Sequence, residues 1–358
     1  MSNITFDRKT AIKYLEKYLA PNKARGMAGQ AALFSWLREE RQKRHAQKCF
    51  TGCWLLSPKD DSERKKRVCF FVNSRCVESA DDVKMECEGL LEDRLFHAVC
   101  GKLAQCGLGV VFTVPVANPA QRENMDEIDW HFFRYLNEKL VPFDGRTFFE
   151  GWAGGKGRAV INKTGWDNDV NTRFENLDDT DLTAMVTAQA FYYGFLKVRL
   201  RKSFTDAYDV DCFIASHQGT VLPVEIKEKS PGGDKGSGFF GIDAGRILML
   251  LRLCLPVDAN AAYVVREIKE GGGREFVGWK VLTLDRLVMS ASWNLQAGGK
   301  GMGGGNTQTV LMPYSLFEDL DDKWFEDSHL NAIGQISINV KKKATEFQTE
   351  IESLFSPK

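Results

Sequence analysis

Hydrophobic and polar positions in the first part of the chain follow two periods, one helical and one typical of strands. Residues 10–19 and 28–47 have helical spacing, whereas the apolar runs 49–56 and 68–73 predict a hairpin of two strands. A further apolar run at 110–116 predicts a buried strand. Two amphipathic helices are also predicted, one at residues 123–140 and one that ends before Gly107, with an apolar stripe formed by Val83, Cys87, Leu91, Leu95 and Ala98.

The residue composition changes at residues 151–179, which are rich in glycine, asparagine, aspartate and lysine. This composition predicts a long loop or a domain junction. The next segment, 182–196, is apolar on almost every turn, so we expect a buried helix that packs across a sheet. Four strands and one helix follow. The strands are predicted at 209–215, 221–227, 262–268 and 275–284, and the helix is predicted at 243–255. This order is typical of an α/β domain with a mixed sheet.

The order of elements divides the chain into four parts. We predict an N-terminal α+β domain at 1–150 with a recognition or regulatory role, a loop-rich junction at 151–180, an α/β domain at 181–335 and a C-terminal amphipathic helix at 336–358. The last helix carries an apolar stripe that either docks within the chain or pairs with a second subunit. The stripe is only two heptads long, which favours docking within the chain.

Composition narrows the class of protein. The 358 residues contain 48 Lys+Arg and 48 Asp+Glu, so any nucleic-acid contact must use local basic patches rather than bulk positive charge. Nine cysteines, an odd number, and an opening segment with no apolar run predict a reducing cytoplasm. The longest apolar stretch, 247–255, is shorter than the about 20 residues of a membrane-spanning helix, so we expect no membrane partner.

The candidate chemistry lies in two strand-like runs joined by a turn-like segment. A hairpin that pivots on Gln218 places Asp211 opposite Glu225. The same register places Asp209 opposite Lys227. Side chains two apart on a strand share a face, and directly opposed Cβ atoms lie about 5 Å apart. The sequence therefore predicts a compact acidic cluster with a lysine at its edge.

Crowded carboxylates repel one another, and a divalent cation relieves that repulsion fully. Mg²⁺ suits the cluster because it takes oxygen ligands and keeps several waters, which leaves room for a phosphate oxygen and an attacking water. Lys227 would orient or help deprotonate that water and neutralise charge on the phosphate. These parts together predict a phosphodiester hydrolase. The alternative is a surface ladder in which Glu225 and Lys227 pair with the aspartates and carry no chemistry.

The triplet Glu-x-Lys alone is a weak signal, because the sequence contains three copies, Glu63/Lys65, Glu225/Lys227 and Glu267/Lys269. Glu63 lies in a charged run with no apolar strand, and Glu267 has upstream only Asp258, which lies in a turn-like segment. Only the Glu225 copy combines an apolar strand, a hairpin and an upstream acid on the matching face.

Asp211, followed fourteen residues later by Glu225-Ile-Lys227 within an order of helix, hairpin, helix and strand, resembles the PD-(D/E)XK superfamily of restriction-endonuclease-like nucleases. The resemblance covers about residues 175–290 and implies a core of a mixed central sheet flanked by helices. It makes Asp211 and Glu225 the metal-binding acids and Lys227 the catalytic lysine, and it assigns the carbonyl of Ile226 to the metal.

The sequence departs from the eponymous motif at Val210, which stands in place of the proline. That proline is often absent in the superfamily. Asp209 is the reserve or second-metal ligand, and Asp211 is preferred because a strand begins immediately after it. Glu175 stands roughly where some members carry an additional acid.

The function implied by the resemblance is that of a Mg²⁺-dependent DNA endonuclease, with Mn²⁺ as a substitute, in prokaryotic restriction or phage defence. Double-stranded DNA is the expected partner. Cleavage of both strands commonly uses two active sites, which favours a homodimer, and a partner defence protein is a further candidate. Two alternatives stay open: an RNA or branched-DNA nuclease of the same fold, and a non-catalytic nucleic-acid-binding subunit whose acidic cluster is structural.

Candidate substrate contacts lie in three glycine-rich segments that contain Lys156, Lys235 and Lys300. Glycine lets backbone N–H groups approach a phosphate, and lysine adds a point charge. The spacing of a Walker A loop is missing, which argues against a nucleotide-hydrolysing P-loop. Arg246, on the helix after the hairpin, and the basic stretch 197–202 are further candidates for phosphate contacts, which position a duplex without reading its sequence.

Overall fold

The structure is a computed structural model, and it describes residues 4–44, 48–58, 68–73, 75–152, 161–202, 204–233, 238–269, 274–290, 295–297 and 308–355. The described chain is a mixed α/β protein with helices and a large mixed sheet, which confirms the predicted α/β class. It divides into two compact units, residues 1–43 with 49–212 and residues 44–48 with 213–358. The division therefore falls after Cys212, inside a strand, rather than within the junction predicted at 151–180.

The first unit contains helices, strands and a π-helix (Ala190–Arg199). Its other elements in chain order are α1 (Arg8–Tyr18), α2 (Pro21–Arg44), β1 (Lys48–Pro58), β2 (Val68–Val72), α3 (Ala80–Leu91), α4 (Arg94–Gln105), β3 (Gly109–Val116), α5 (Pro119–Glu123), the 3-10 turn Met125–Glu127, β4 (Asp129–Leu136), β5 (Lys139–Phe143), α6 (Gly145–Glu150), α7 (Asn168–Glu175), α8 (Asp179–Gln189) and β6 (Phe204–Ala215), whose last three residues belong to the second unit.

The strands of the first unit are ordered β6-β1-β2-β3-β4-β5. β2 and β3 are parallel, because α3 and α4 carry the chain back between them, and β3, β4 and β5 are antiparallel neighbours. The π-helix covers this sheet with aromatic side chains, and Phe191 and Phe195 pack with Phe149 of α6 in a buried cluster. The buried helix predicted at 182–196 is thus present as α8 and the π-helix.

The amphipathic helix predicted at 123–140 is wrong. This segment forms β4 and β5, which pair from Phe132↔Phe143 to Leu136↔Lys139. Aromatic residues crowd the segment and favour a pleated strand, and the two-residue turn has positive φ at Asn137 (48°) and Glu138 (60°), the geometry of a type I′ hairpin. Apolar spacing over a short window does not separate a strand from a helix in this segment.

Two further predictions need correction at helix boundaries. The single stripe from Val83 to Ala98 lies on two helices, because α3 ends at Leu91 and the side chain of Asp93 accepts a hydrogen bond from Leu95 N–H at the start of α4. The predicted junction contains α7, whose first turn is capped by Asp167. A capping aspartate inside a polar segment is the signal for a helix in each case.

The second unit contains four neighbouring strands in the order β13-β10-β9-β7, and a small sheet in the order β11-β12-β8. In chain order its elements are β7 (Val221–Lys229), β8 (Phe239–Asp243), α9 (Ala244–Cys254), the 3-10 turn Leu255–Val257, β9 (Ala262–Ile268), β10 (Phe276–Thr283), α10 (Leu284–Met289), β11 (Leu295–Ala297), β12 (Gln308–Pro313), the 3-10 turn Tyr314–Leu316, β13 (Glu318–Asp319), the 3-10 turn Asp322–Phe325, α11 (Asp327–Ile333) and α12 (Ile338–Phe355).

The C-terminal helix α12 docks within the chain. Ala344, Phe347 and Ile351 are buried, and Arg252 of α9 forms an ion pair with Glu352 at 2.9 Å. The apolar stripe is therefore used inside the second unit, as predicted. Across the described ranges, every helix falls short of the length and hydrophobicity that a bilayer crossing requires.

Candidate active site

The turn between β6 and β7 is fixed by backbone and side-chain hydrogen bonds. Ser216 N–H donates to Thr220 O at 2.9 Å, and Gly219 N–H donates to Ser216 O at 3.1 Å. Gly219 has φ 86°, which a residue without Cβ adopts at little cost. Asn331 Oδ1, on α11, accepts from the hydroxyls of Ser216 (3.0 Å) and Thr220 (2.5 Å). These contacts centre the turn on Gln218, the pivot that the sequence indicates.

Glu225 has a fully buried side chain on β7, and two cations share one of its oxygens. Lys227 Nζ lies 2.5 Å from Glu225 Oε1, and Arg246 Nε lies 3.3 Å from the same atom. Among the described residues, neither carboxylate oxygen of Glu225 has a partner in hydrogen-bond geometry. Oε2 is therefore a buried acceptor without a donor in this part of the chain, which costs about 1–3 kcal/mol unless a ligand fills it.

Arg246 is placed by the cap of α9. Asp243 Oδ1 accepts a hydrogen bond from Arg246 N–H at 3.1 Å, which starts the helix and directs the guanidinium toward β7. The sequence assigns this arginine to the substrate, whereas the structure places it beside an acid. The arginine approaches Oε1, and Oε2 of Glu225 is buried without a donor in hydrogen-bond geometry among the described residues.

Asp209 and Asp211 lie on β6, within the first unit, on either side of the buried Val210. Their side chains therefore share one strand face. Asp211 is buried, and Gln30 Nε2 on α2 donates to its Oδ1 at 2.6 Å. Asp209 lies close enough to Tyr192 that, after burial and the neighbouring Tyr193, its charge raises the pKa of the Tyr192 hydroxyl.

Glu225 is the carboxylate of β7 that could contribute to a cation site. Carboxylate oxygens are the ligands that Mg²⁺ prefers, and Oε2 of Glu225 is a buried oxygen with no donor in hydrogen-bond geometry among the described residues. Ile226 belongs to β7 and pairs in register with Val264 of β9, so its backbone is held in the strand. Within the part of the chain that the structure describes, no group of three or more Asp, Glu, His or Cys side chains is arranged to hold a metal ion.

Lys229 is a residue that sequence reasoning missed. It follows Glu225 and Lys227 at the alternating spacing of β7, so the three side chains share a face. Burial first, and then the charge of Lys227, lower the pKa of the Lys229 ammonium to about 8, although Asp243 and Glu225 oppose the shift. The alternation of Glu225, Lys227 and Lys229 along the strand is the sequence pattern that could have indicated Lys229. The Glu-x-Lys motif includes only the first two of these residues.

The other predicted contacts have different outcomes. The clamp residues Lys156, Lys235 and Lys300 lie outside the described residues. In the basic stretch, Arg199 donates to the Asp126 and Ile128 carbonyls and Lys202 to the Glu150 and Trp152 carbonyls, so both stabilise the fold. Glu175 is exposed at the end of α7.

The neighbouring Glu-x-Lys copy on β9 is satisfied by protein contacts. Glu267 Oε2 accepts a hydrogen bond from the Tyr314 hydroxyl at 2.9 Å, and Lys269 Nζ pairs with Glu275 at 2.8 Å. Glu225 differs because its Oε1 has only ion-pair contacts, with Lys227 and Arg246, and neither of its oxygens has a partner in hydrogen-bond geometry among the described residues. The two copies thus share a sequence pattern and differ in the way their carboxylates are satisfied.

Comparison of the chain with protein-family models, with curated proteins and with solved structures gives no match.

Proposed function

We propose that the protein is a Mg²⁺-dependent nuclease that hydrolyses phosphodiester bonds of DNA. The observation that supports this proposal is the fully buried Glu225, whose Oε1 lies beside Lys227 Nζ and whose Oε2 has no donor among the described residues. A purely structural ion pair would be expected to satisfy both oxygens with donors, because an unsatisfied buried carboxylate destabilises the fold.

Each residue has a role in this proposal. When bound, Mg²⁺ would polarise the phosphorus centre and lower the pKa of a coordinated water. Glu225 and the Ile226 carbonyl would hold the ion, and the metal-ligand roles of Asp211 and Asp209 are those that the sequence resemblance implies. Lys227 would orient the attacking water and neutralise charge that develops on the phosphate. Arg246, which lies beside Glu225 Oε1, would contact a phosphate oxygen of the substrate.

The finer assignments rest on the resemblance to restriction-endonuclease-like nucleases. These assignments are the restriction-endonuclease-like core, DNA rather than RNA as substrate, Mn²⁺ as a substitute ion, a homodimer or a partner defence protein, and a role in restriction or phage defence. The alternative class is a non-catalytic nucleic-acid-binding subunit, and measurements of cleavage and of metal binding separate it from a nuclease.

The first experiment measures nicking or linearisation of supercoiled plasmid by purified full-length protein in Mg²⁺, in Mn²⁺ and in EDTA. We expect metal-dependent cleavage that falls by at least about 100-fold in Glu225→Gln and Lys227→Ala. Lys269→Ala is the matched control, because it removes a lysine from the equivalent triplet on β9 and should leave the rate unchanged. Equal rates in wild type and in the two site variants would contradict the proposal.

The second experiment measures metal binding without reference to turnover. Mg²⁺ should raise the thermal unfolding midpoint of the wild type, because a ligand that binds only the folded state stabilises it, and the increase should be lost in Glu225→Gln. Persistent nucleic-acid binding with no cleavage of DNA, RNA or branched DNA in any ion would favour the binding subunit instead.

A further inference from the structure

Two lysines of the first unit converge on one pair of tyrosines. Lys197 Nζ lies 4.8 Å from the ring centroid of Tyr192 and 5.7 Å from that of Tyr193. Lys23 Nζ, from α2, lies 6.0 Å and 5.4 Å from the same two centroids. Both lysines are partly exposed, so their ammonium groups lie near the surface.

The aromatic rings beneath the lysines are held rigidly. Tyr192 stacks on Trp54 of β1 with centroids 4.4 Å apart and planes at 5°, and Tyr193 stacks on Tyr18 of α1 at 5.1 Å and 4°. Tyr192 and Tyr193 meet edge to face at 5.0 Å. These four rings therefore form a preformed surface beneath the lysines, called here the aromatic floor. It consists of Tyr18 of α1, Trp54 of β1, and Tyr192 and Tyr193 of the π-helix.

Among the described residues, the two ammonium groups have no anion to balance them. No described carboxylate lies within ion-pair distance of Lys23 or Lys197, whereas Lys17, over the ring of Tyr18, is paired with Asp126 at 2.8 Å. Burial and then the charge of Lys23 lower the pKa of Lys197, so the two cations disfavour one another. One lysine would suffice for a cation–π contact, and the second adds repulsion that an anion would relieve.

We propose that Lys23 and Lys197 form a phosphate-binding site whose ligand is a backbone phosphate of a nucleic-acid strand. Each of the two converging ammonium groups can donate to one of the two non-bridging oxygens of a phosphodiester, the contact by which lysines hold a nucleic-acid backbone. The site lies near Asp209 of β6, since the charge of Asp209 helps to raise the pKa of Tyr192. The identity of the ligand as nucleic acid rests on the proposed function, whereas the phosphate site itself rests on the lysines.

The test is oligonucleotide binding in EDTA, where no cleavage occurs. Fluorescence anisotropy with labelled single-stranded and duplex DNA would be measured at several salt concentrations for wild type, Lys23→Gln, Lys197→Gln and the double variant. We expect each single variant to bind about fivefold more weakly, and the double variant to flatten the salt dependence by about one phosphate, because both lysines contact the same phosphate. Lys13→Gln, which removes an exposed lysine of α1, is the matched control and should bind as wild type.

A second measurement separates binding from a structural role. If the lysines only stabilise the aromatic floor through cation–π contacts, each substitution lowers the thermal unfolding midpoint of the free protein, and that result with unchanged salt slopes overturns the inference. The inference expects an unchanged or higher midpoint, because one of two repelling charges is removed.

Inorganic phosphate distinguishes the source of the ligand. A lysine-dependent stabilisation by inorganic phosphate, with oligonucleotide binding independent of both lysines, would identify a site for small phosphates and overturn the assignment to nucleic acid. Lysine-dependent DNA binding in a protein that never cleaves would support the inference while the proposed nuclease function fails. Metal-dependent cleavage with an unchanged KM in the double variant would support the proposed nuclease function and contradict the inference about the two lysines.

Discussion

Gln30 and Asp211 form a hydrogen bond of 2.6 Å, from Gln30 Nε2 on α2 to Asp211 Oδ1 on β6. α2 has buried residues on both sides of Gln30 in the chain, namely Met27, Ala28 and Ala31. The packing of these residues fixes the position from which the Gln30 side-chain amide reaches Asp211. A carboxylate that binds a metal is oriented by such a donor, and the second oxygen is then directed to the ion. If Asp211 has the metal-ligand role that the resemblance implies, Gln30 is its positioning residue.

Gln30→Ala should weaken the apparent affinity for Mg²⁺ by about 10-fold or more, since loss of an orienting partner commonly has this effect. The measurement is the Mg²⁺ concentration that gives half-maximal plasmid cleavage. Gln348→Ala is the control, because Gln348 donates to Glu352 within α12. An unchanged Mg²⁺ dependence in Gln30→Ala would show that the hydrogen bond only stabilises the fold.

The two aspartates of β6 should differ in their effect on cleavage. Asp211→Asn should abolish metal-dependent cleavage, whereas Asp209→Asn should give a partial defect, because Asp211 is the principal metal ligand in the proposal. Both substitutions keep side-chain volume and remove one negative charge, so they control for each other. The reverse order of the two defects would contradict the assignment of Asp211.

Lys229→Met should stabilise the protein at pH 7 in EDTA. The pKa of Lys229 is lowered to about 8 in the folded state, mainly by burial and then by Lys227, so the charged form opposes folding. Methionine retains the apolar stem without the charge. We expect the free energy of unfolding, from urea denaturation, to rise by about 1–3 kcal/mol.

The stabilising effect of Lys229→Met should fall as the pH rises. Below a pH of about 8 both folded and unfolded Lys229 are protonated, and the penalty is fully present. Between about 8 and the ordinary lysine pKa of 10.5 the unfolded chain binds the additional proton, so the stability of the wild type rises with pH. The difference between wild type and variant should therefore shrink from about pH 7 to about pH 10. A constant difference would show that the lowered pKa of Lys229 is not its cause.

The hairpin of β4 and β5 offers a test of backbone strain. Glu138 has φ 60°, a left-handed conformation that a residue with Cβ adopts at a cost. Glu138→Gly should raise the free energy of unfolding by about 0.5–1 kcal/mol, measured by urea denaturation. Glu138→Ala retains Cβ and should have little effect, so equal effects of glycine and alanine would point to the loss of the charge instead.

Elements whose pattern is local and long could be predicted from the sequence. The strands 209–215 and 221–227 and the helix 243–255 correspond to β6, β7 and α9, because apolar runs and turn residues fix them without distant contacts. The helix predicted at residues 123–140 is wrong because an aromatic-rich hairpin with a two-residue turn mimics helical spacing over a short window.

The candidate site could be predicted only where its residues are close in sequence. Glu225 and Lys227 are two residues apart on one strand, and their contact follows from that spacing. Gln30 lies far from Asp211 along the chain, and Lys23 far from Lys197, so no local pattern joins them. The contact of Arg246 with Glu225 likewise depends on the direction in which the cap at Asp243 starts α9.

Gly334 supports the turn that joins the two strands of the proposed site. A Cβ at this position would lie 2.2 Å from Thr220 Cγ2 and 2.8 Å from Leu330 O. Gly334→Ala should lower the free energy of unfolding by about 1–3 kcal/mol through overpacking. Gly278→Ala is the control, because no described atom lies within 4 Å of its added Cβ.

A second substitution tests the cause of that loss. Thr220→Ser removes the methyl group that the new Cβ would meet and keeps the hydroxyl that donates to Asn331. In the Gly334→Ala background it should recover part of the lost stability, whereas alone it should have a small effect. Additive losses in the double variant would indicate that the Leu330 carbonyl is the limiting contact.

The winding of the π-helix constrains how many residues this segment can contain. Its end closes with Leu200 N–H donating to Phe195 O at 2.9 Å, across five residues where an α-helix would close across four. Within this π-helix, Lys197 lies over the rings of both Tyr192 and Tyr193. Deletion of one residue would restore ordinary winding and turn the downstream side chains by about 100° around the axis. We therefore expect related sequences to carry many substitutions in the π-helix but very few single-residue deletions.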